Sequence, residues 1–365
     1  MVNLRIPGPT TVPAEVAQAG AAEMINHRGP EFAAMIARTT EGVKKVYQTS
    51  NDVETLTASG SGAMESAVVN FTAPGMHSLV VSIGNFGERF QDLVGIYGGV
   101  LVKQEYKGGQ AADLNKIEEA LKADPEIRTV FITHNETSTG VTNPILPDLA
   151  ALVHAHDALL VVDAISSLSS VEVKTDEWDL DVVLSGSQKG WMVAPGLAFV
   201  SVNERAWARA DETASKQPRF YFDLRRHQKS LETGQTPWTP AVSLFFQLDK
   251  ALQMMEAEGL ENIFARHHKI GSMVRDGIRG MGLELVADEG VESDTVTAFW
   301  LPEGVNGSEV TKIARDKYNT VFAGGQGNLR GKIMRFGHLG AMNEADIQAG
   351  LDALKNAFAD AGYKK

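Results

Sequence analysis

From Glu54 to Val202, short apolar runs alternate with stretches of helical spacing. The runs at 54–58, 79–83, 100–106, 129–133, 159–162, 182–184 and 197–202 have the length and β-branched content of strands. Residues 63–71, 88–97, 114–123 and 147–156 between them have helical spacing. Strands joined by helical crossovers pair in parallel. The pattern therefore predicts an α/β fold: a large domain with a mainly parallel seven-stranded sheet flanked by helices. Such sheets bind ligands just outside the carboxyl ends of their strands. The polar and glycine-rich segments of this chain fall at those ends.

Either side of the alternation the character differs. Three prolines and a glycine between Pro7 and Pro13 predict an extended N-terminal arm, residues 1–13. Helices are expected over 14–25 and 31–47, with a turn at His27 to Pro30. Residues 14–254 form the expected large domain. Past Pro240, long helical stretches at 242–257 and 260–280 precede strand-like 283–287, 295–300 and 333–336. A closing helix over 344–358 has Asn343 as its N-cap. These predict a small C-terminal α+β domain over 255–365.

The net charge of -12 argues against nucleic acid and against an anionic membrane surface as partners. No apolar run approaches the length of a membrane span. The chain has no cysteine, so disulfides, thiolate metal sites and a cysteine nucleophile are excluded. With no apolar leader at its start, this fits a reducing, cytoplasmic setting.

Four features at the predicted strand ends carry chemistry. Lys189, in Ser185-Gly186-Ser187-Gln188-Lys189-Gly190, follows the buried run at 182–184. A lysine is almost never buried without a partner. It either ends a strand at the surface or holds a carbonyl cofactor as a Schiff base. Asp163 ends the run Leu159 to Val162, as a loop carboxylate or as the acid partner of a pyridine nitrogen. Lys189 comes 26 positions after Asp163, with one loop and one strand between, so both fall on one edge of the sheet. Ser59-Gly60-Ser61-Gly62 leads from a strand into a helix. It suits an anion at the helix N-terminus, or is a plain turn. Arg335, flanked by apolar residues, suits either an ion pair or bidentate recognition of a carboxylate.

Phe86 suits stacking on a flat ring or a minor core role, and Thr137 a hydrogen bond to a ring substituent or a turn. His134 has no metal-ligand spacing around it and is expected to be structural. His154 with His156 and the adjacent His267 and His268 make no facing pair, so no metal site is expected.

In this order the segments resemble the class V aminotransferases of pyridoxal phosphate (PLP) fold type I. Within them, the chain is similar to the alanine–glyoxylate and serine–glyoxylate group. The resemblance runs from Pro7-Gly8-Pro9 to Arg335-Phe336-Gly337-His338. It implies that Lys189 carries PLP and that Asp163 pairs with the pyridine nitrogen. It implies that Ser61, Gly62 and Ala63, with Gln188, hold the phosphate. Thr137 contacts the ring hydroxyl, Ile165 packs on one ring face and Phe86 on the other. Relatives often have tryptophan at Phe86 and histidine at Ala63. Thr236 and Thr239 resemble a segment that reaches the phosphate of a neighbouring subunit, implying a homodimer with shared active sites. Arg335 matches the arginine that takes the substrate α-carboxylate, and Pro7 and Gly8 lie close to the substrate. The implied reaction passes an amino group from alanine or serine to glyoxylate or pyruvate. Aspartate and ureidoglycine are alternative donors, and a lyase of the kynureninase kind is an alternative activity. A non-catalytic subunit that keeps the fold is the alternative outside enzymes. Cysteine desulfurase activity is excluded by the lack of cysteine.

Overall fold

The computed structural model describes residues 2–363. Met1, Lys364 and Lys365, at the ends of the expected arm and small domain, lie outside the described residues. Seven strands form one sheet in the order Asp52–Leu56, Ala198–Val202, Val182–Gly186, Leu159–Asp163, Ile127–Thr133, His77–Ser82, Val100–Glu105. All neighbours pair in parallel except Ala198–Val202, which runs antiparallel to both of its partners. Every residue of Leu159–Asp163, Val182–Gly186 and Ala198–Val202 is buried. These central strands read as unbroken apolar runs because helices cover both faces. One face packs on helices that include Pro30–Tyr47 and Val242–Glu258, the other on Gly60–Phe71.

A second sheet has the order Asn3–Arg5, Thr320–Gly324, Ile333–Gly337, Val296–Trp300. Its core is built with the helices Leu260–Gly280, Gly307–Tyr318 and Glu344–Asp360. Asn343 caps the last of these in a reciprocal capping box with Asp346. The chain passes between the two cores inside one helix: Ile263 packs with the large sheet and Ile270 with the small one.

Four expectations differ from the structure. Asn3–Arg5 is not part of a free arm but an edge strand parallel to Thr320–Gly324. The helix from Ala14 ends at Ala19 rather than Ile25, with Gly20 as its C-cap, and Ile25 packs against the core from the irregular chain beyond. Residues 283–287 make only one bridge, Leu285 to Phe299. The chain there turns away to the loop after Val100–Glu105, where the Asp288 N–H donates to Gly109 O at 2.9 Å. Helices Glu204–Thr213, Leu224–Leu231 and Gly307–Tyr318 and the hairpin Asn135–Glu136/Val141–Thr142 had no counterpart in the apolar pattern.

At the edge of the large sheet opposite the site, the Asp181 side chain is fully buried. It accepts from Leu160 N (2.8 Å), Asn203 Nδ2 (2.8 Å) and Arg205 Nε (2.8 Å), and pairs with His154 Nε2 (2.8 Å). Removing one member of a buried charged network strands the others. Asp181→Ala is therefore expected to cost about 3 kcal/mol of stability. Chemical denaturation measures this; a loss below about 1 kcal/mol would show that water replaces the carboxylate.

Candidate active site

The strand register brings the chemistry together. Thr133 lies opposite Asp163, Asp163 opposite Leu184, and Gly186 opposite Ala198, which lies opposite Leu56. The carboxyl ends of the other strands and the amino end of the antiparallel Ala198–Val202 thus share one edge, and a cavity of about 290 Å³ opens there. Gly8, Ser61, Phe86, Thr137, Asp163, Ile165, Gln188 and Lys189 line it, all expected site residues.

Lys189 is buried. Its amine donates to Pro7 O at 2.6 Å, which brings the N-terminal segment onto the sheet edge. Thr10 fixes that segment: its N–H donates to Gln188 O (3.0 Å) and its hydroxyl to Lys189 O (2.9 Å). Gly8 is required here, since a Cβ would sit 2.8 Å from Lys189 Cδ. Burial pulls the amine down to about 8, against the opposing charge of Asp163. Asp163 accepts from Ile165 N at 2.9 Å. Burial pushes its carboxyl up to about 7 despite that hydrogen bond. A lysine and a carboxyl lying so close to neutrality can both exchange protons readily.

The helix Gly60–Phe71 starts at the cavity. Its first backward bond runs from Ala63 N to Ser59 O at 3.1 Å. The amides of Gly60, Ser61 and Gly62 are thus free for an anion, while that of Ala63 is committed to the helix. Gly62 and Ala63 are buried off the cavity wall, where Ser59 and Gly60 stand instead. A Cβ on Gly60 would lie 2.7 Å from Ile165 Cδ1, so only glycine lets the helix start meet that wall. Gln188 ends in an amide whose buried oxygen has no hydrogen-bond partner. A half-turn of that amide offers N–H instead.

Arg335 is buried in Ile333–Gly337 and approaches the cavity at Thr137. Its Nη1 donates to Thr137 O (3.1 Å) and its Nε to Gly324 O (2.9 Å). Among the described residues no carboxylate pairs with it, so the structural ion pair is not formed. Burial lowers its guanidinium to about 10. Thr236 and Thr239 do not line this cavity. Thr236 donates its hydroxyl to Trp238 O (2.7 Å) and Thr239 is exposed, on a segment that stacks Trp238 on the exposed Tyr221 and Phe220. His134 is structural: it bonds Ser167 Oγ at 2.9 Å and burial pulls it down to about 4. His77, Asp124 and Glu126 gather at the surface, where the ring nitrogens of His77 already face the two carboxylates at 2.6 Å and 3.4 Å.

Sequence reasoning missed Arg89 and Glu136. Arg89 lines the cavity, donates to Ser61 Oγ at 2.9 Å and lies 4.8 Å over the Phe86 ring. Glu136 is buried between Phe86 and Thr137. Both sit beside residues already singled out, and their polarity in segments of helix and turn was the only signal.

Residues 4–344 match the family model of the class-V aminotransferases. The chain belongs to that family. It is 42% identical over 367 residues to the small subunit of a soluble hydrogenase of Synechococcus sp. (strain PCC 6716), covering 99% of this chain and 94% of that protein. It is 39% identical to the L-aspartate–glyoxylate aminotransferase of Paracoccus denitrificans (strain Pd 1222), covering 98% of this chain and 91% of that protein. The crystal structure of an alanine–glyoxylate aminotransferase from Nostoc sp. is similar with a TM-score of 0.94 at 28% identity, over 98% of this chain and 95% of that one. The class-V fold, with its mostly parallel seven-stranded sheet, is thus common to sequence and structure. No helix among the described residues is long and apolar enough to cross a membrane.

In this class-V aminotransferase, Asp163 holds up the proton affinity of Lys189 against burial. Asp163→Asn is expected to move the titration of the cofactor-free Lys189 amine further below about 8. The pH dependence of amine labelling measures this, with Lys189→Ala as the blank. An unchanged titration would show that the two groups do not interact.

Proposed function

We propose that this protein transfers an amino group from alanine or serine to glyoxylate or pyruvate, with PLP as cofactor. One observation carries the reading. A buried lysine amine and a buried carboxyl line one cavity, and a buried guanidinium with no carboxylate partner among the described residues approaches its wall. The residues present fit the cofactor. Free amides at Gly60, Ser61 and Gly62, and the unpartnered amide of Gln188, suit its phosphate. Ala63 would contribute only as part of the helix. Ile165 and Phe86 supply apolar surfaces for the two faces of a ring, and Thr137 a hydroxyl at its edge.

PLP, when bound, supplies an aldehyde that takes up an amino group and a ring that withdraws electrons from the Cα–H bond. The protein does the rest. Asp163 holds a proton at the ring nitrogen, which its position near neutrality permits. Lys189 would hold the aldehyde when the cofactor is bound, and its amine, lowered by burial, is suited to act as the base that moves the Cα proton. Arg335 holds the donor carboxylate by a bidentate contact, and Pro7 and Gly8 close over that side. Thr236 and Thr239 serve the phosphate of a second copy, so the working unit is a homodimer with shared sites. The exposed Phe220 and Tyr221, on which Trp238 of that segment stacks, support this. The cytoplasm is the setting in keeping with a cysteine-free chain.

Aspartate as donor is the second reading. Arg89, a cavity-wall guanidinium with no carboxylate partner among the described residues, favours it, as does the name of the Paracoccus relative. The name of the Synechococcus relative points instead to a subunit of a redox complex. Intact Lys189, Asp163 and Arg335 favour catalysis, and without cysteine this chain can hold no thiolate-bound metal.

Adding PLP is expected to give a visible absorbance band that Lys189→Ala abolishes. No band in the wild type would refute the cofactor. Mixing the loaded enzyme with single amino acids, and following loss of the band, identifies the donor. Arg335→Ala is expected to lower kcat/KM for every donor roughly 100-fold, the value of about 3 kcal/mol of charged hydrogen bonding. An unchanged kcat/KM would remove Arg335 from the site.

A further inference from the structure

Glu136 is a fully buried carboxylate that the proposed reaction does not use. Its Oε2 accepts from Phe86 N at 2.9 Å and Gly87 N at 3.3 Å, the first turn of the helix Asn85–Ile96. Its Oε1 accepts from Ser138 N at 3.0 Å and Ser138 Oγ at 2.6 Å. The four donors come from two different loops. One carries Phe86 on the cavity wall; the other carries Thr137, whose carbonyl takes Arg335. Ser138 Oγ also accepts from Asn85 N at 3.0 Å, doubling the link. A Cβ on Gly84 would stand 2.7 Å from Glu136 Cγ, so the chain is shaped to admit this side chain. Among the described residues no cation pairs with it directly.

A lone buried anion needs a reason, since desolvation raises its proton affinity here too. A carboxylate at a helix N-terminus, bonded to two of its free amides, fixes that helix start in place. We propose that Glu136 is a positioning residue of this site. It locks the Phe86 helix start to the Thr137 turn, so that the ring-stacking wall and the anchor of Arg335 are one rigid unit. The inference rests on the cofactor reading, because Phe86 is taken to stack on the ring of PLP.

The test uses PLP affinity and the visible circular dichroism of bound PLP, which reports how firmly the ring is held. Wild type must first bind PLP; if it does not, the cofactor reading fails and not this one. Glu136→Gln keeps the shape but turns one oxygen into a donor facing N–H groups. It is expected to weaken PLP binding about tenfold and to reduce the dichroic band while leaving Lys189 reactive. Phe86→Ala is expected to weaken binding by at least as much. In the double variant, Glu136→Gln is expected to add less than twofold, because it acts through Phe86. Full additivity, or wild-type affinity and dichroism in a Glu136→Gln protein of lowered Tm, would overturn the proposal. If Glu136→Gln does not fold, Ser138→Ala removes one donor and the Asn85 link. A loss of about threefold with the same dependence on Phe86 is then expected, and no loss would overturn it.

Discussion

The structure depends on taking one lysine amine out of water. Lys189 sits where the sheet ends, and nothing in a parallel sheet solvates a cation there. The only hydrogen bond of its amine among the described residues is to a backbone carbonyl, Pro7 O. Burial is the largest influence on its proton affinity, and it lowers it. The cost is tolerable because Asp163 shares the edge and Glu136 lies near enough to oppose the loss. Asp163 in turn is raised by burial and by Glu136, while Lys189 and Arg89 lower it. Burial therefore brings both groups near neutrality, and their mutual charges limit how far each one moves.

That balance rests on backbone placement. Asp163 and Lys189 reach the same edge because Leu159–Asp163 and Val182–Gly186 are parallel neighbours. The Gly60 helix start arrives there because Asp52–Leu56 pairs with Ala198–Val202, the one antiparallel strand. Reversing that strand puts the end of Asp52–Leu56 beside Gly186 rather than across the sheet. The free amides of the helix and the lysine thus converge through topology, before any side chain chooses a rotamer.

The seven strands were legible in the sequence because buried parallel strands are continuous apolar runs with glycine-rich ends. Lys189, Asp163 and Gly60 to Gly62 were legible for the same reason: they interrupt that pattern at its edge. What the pattern could not show was surface structure. Glu204–Thr213 and Leu224–Leu231 are held by caps and ion pairs more than by an apolar stripe. Asn3–Arg5 has only three residues, too few for a period to register. Glu136 and Arg89 were invisible for another reason. A charged residue in a turn reads as solvated, and only tertiary closure made one of them a buried anion and the other a cavity wall. Which amides within 60–63 stay free depended on where the helix begins, which spacing alone leaves open by a residue or two.

The short N-terminal strand changes how the two sheets relate. Asn3–Arg5 belongs to the small sheet, yet the chain directly after it reaches Lys189. Arg335 also belongs to the small sheet, and Gly337 at the end of its strand leaves room for Ile6 O, which a Cβ would meet at 2.1 Å. Arg335 and the Pro7 carbonyl are thus carried by one packed body, while Lys189 and Asp163 are carried by the other. On the proposed reading of Arg335, the guanidinium that would take a carboxylate sits on the same sheet as the strand that leads into the acceptor of the Lys189 amine, so the two parts of the site are joined through the backbone.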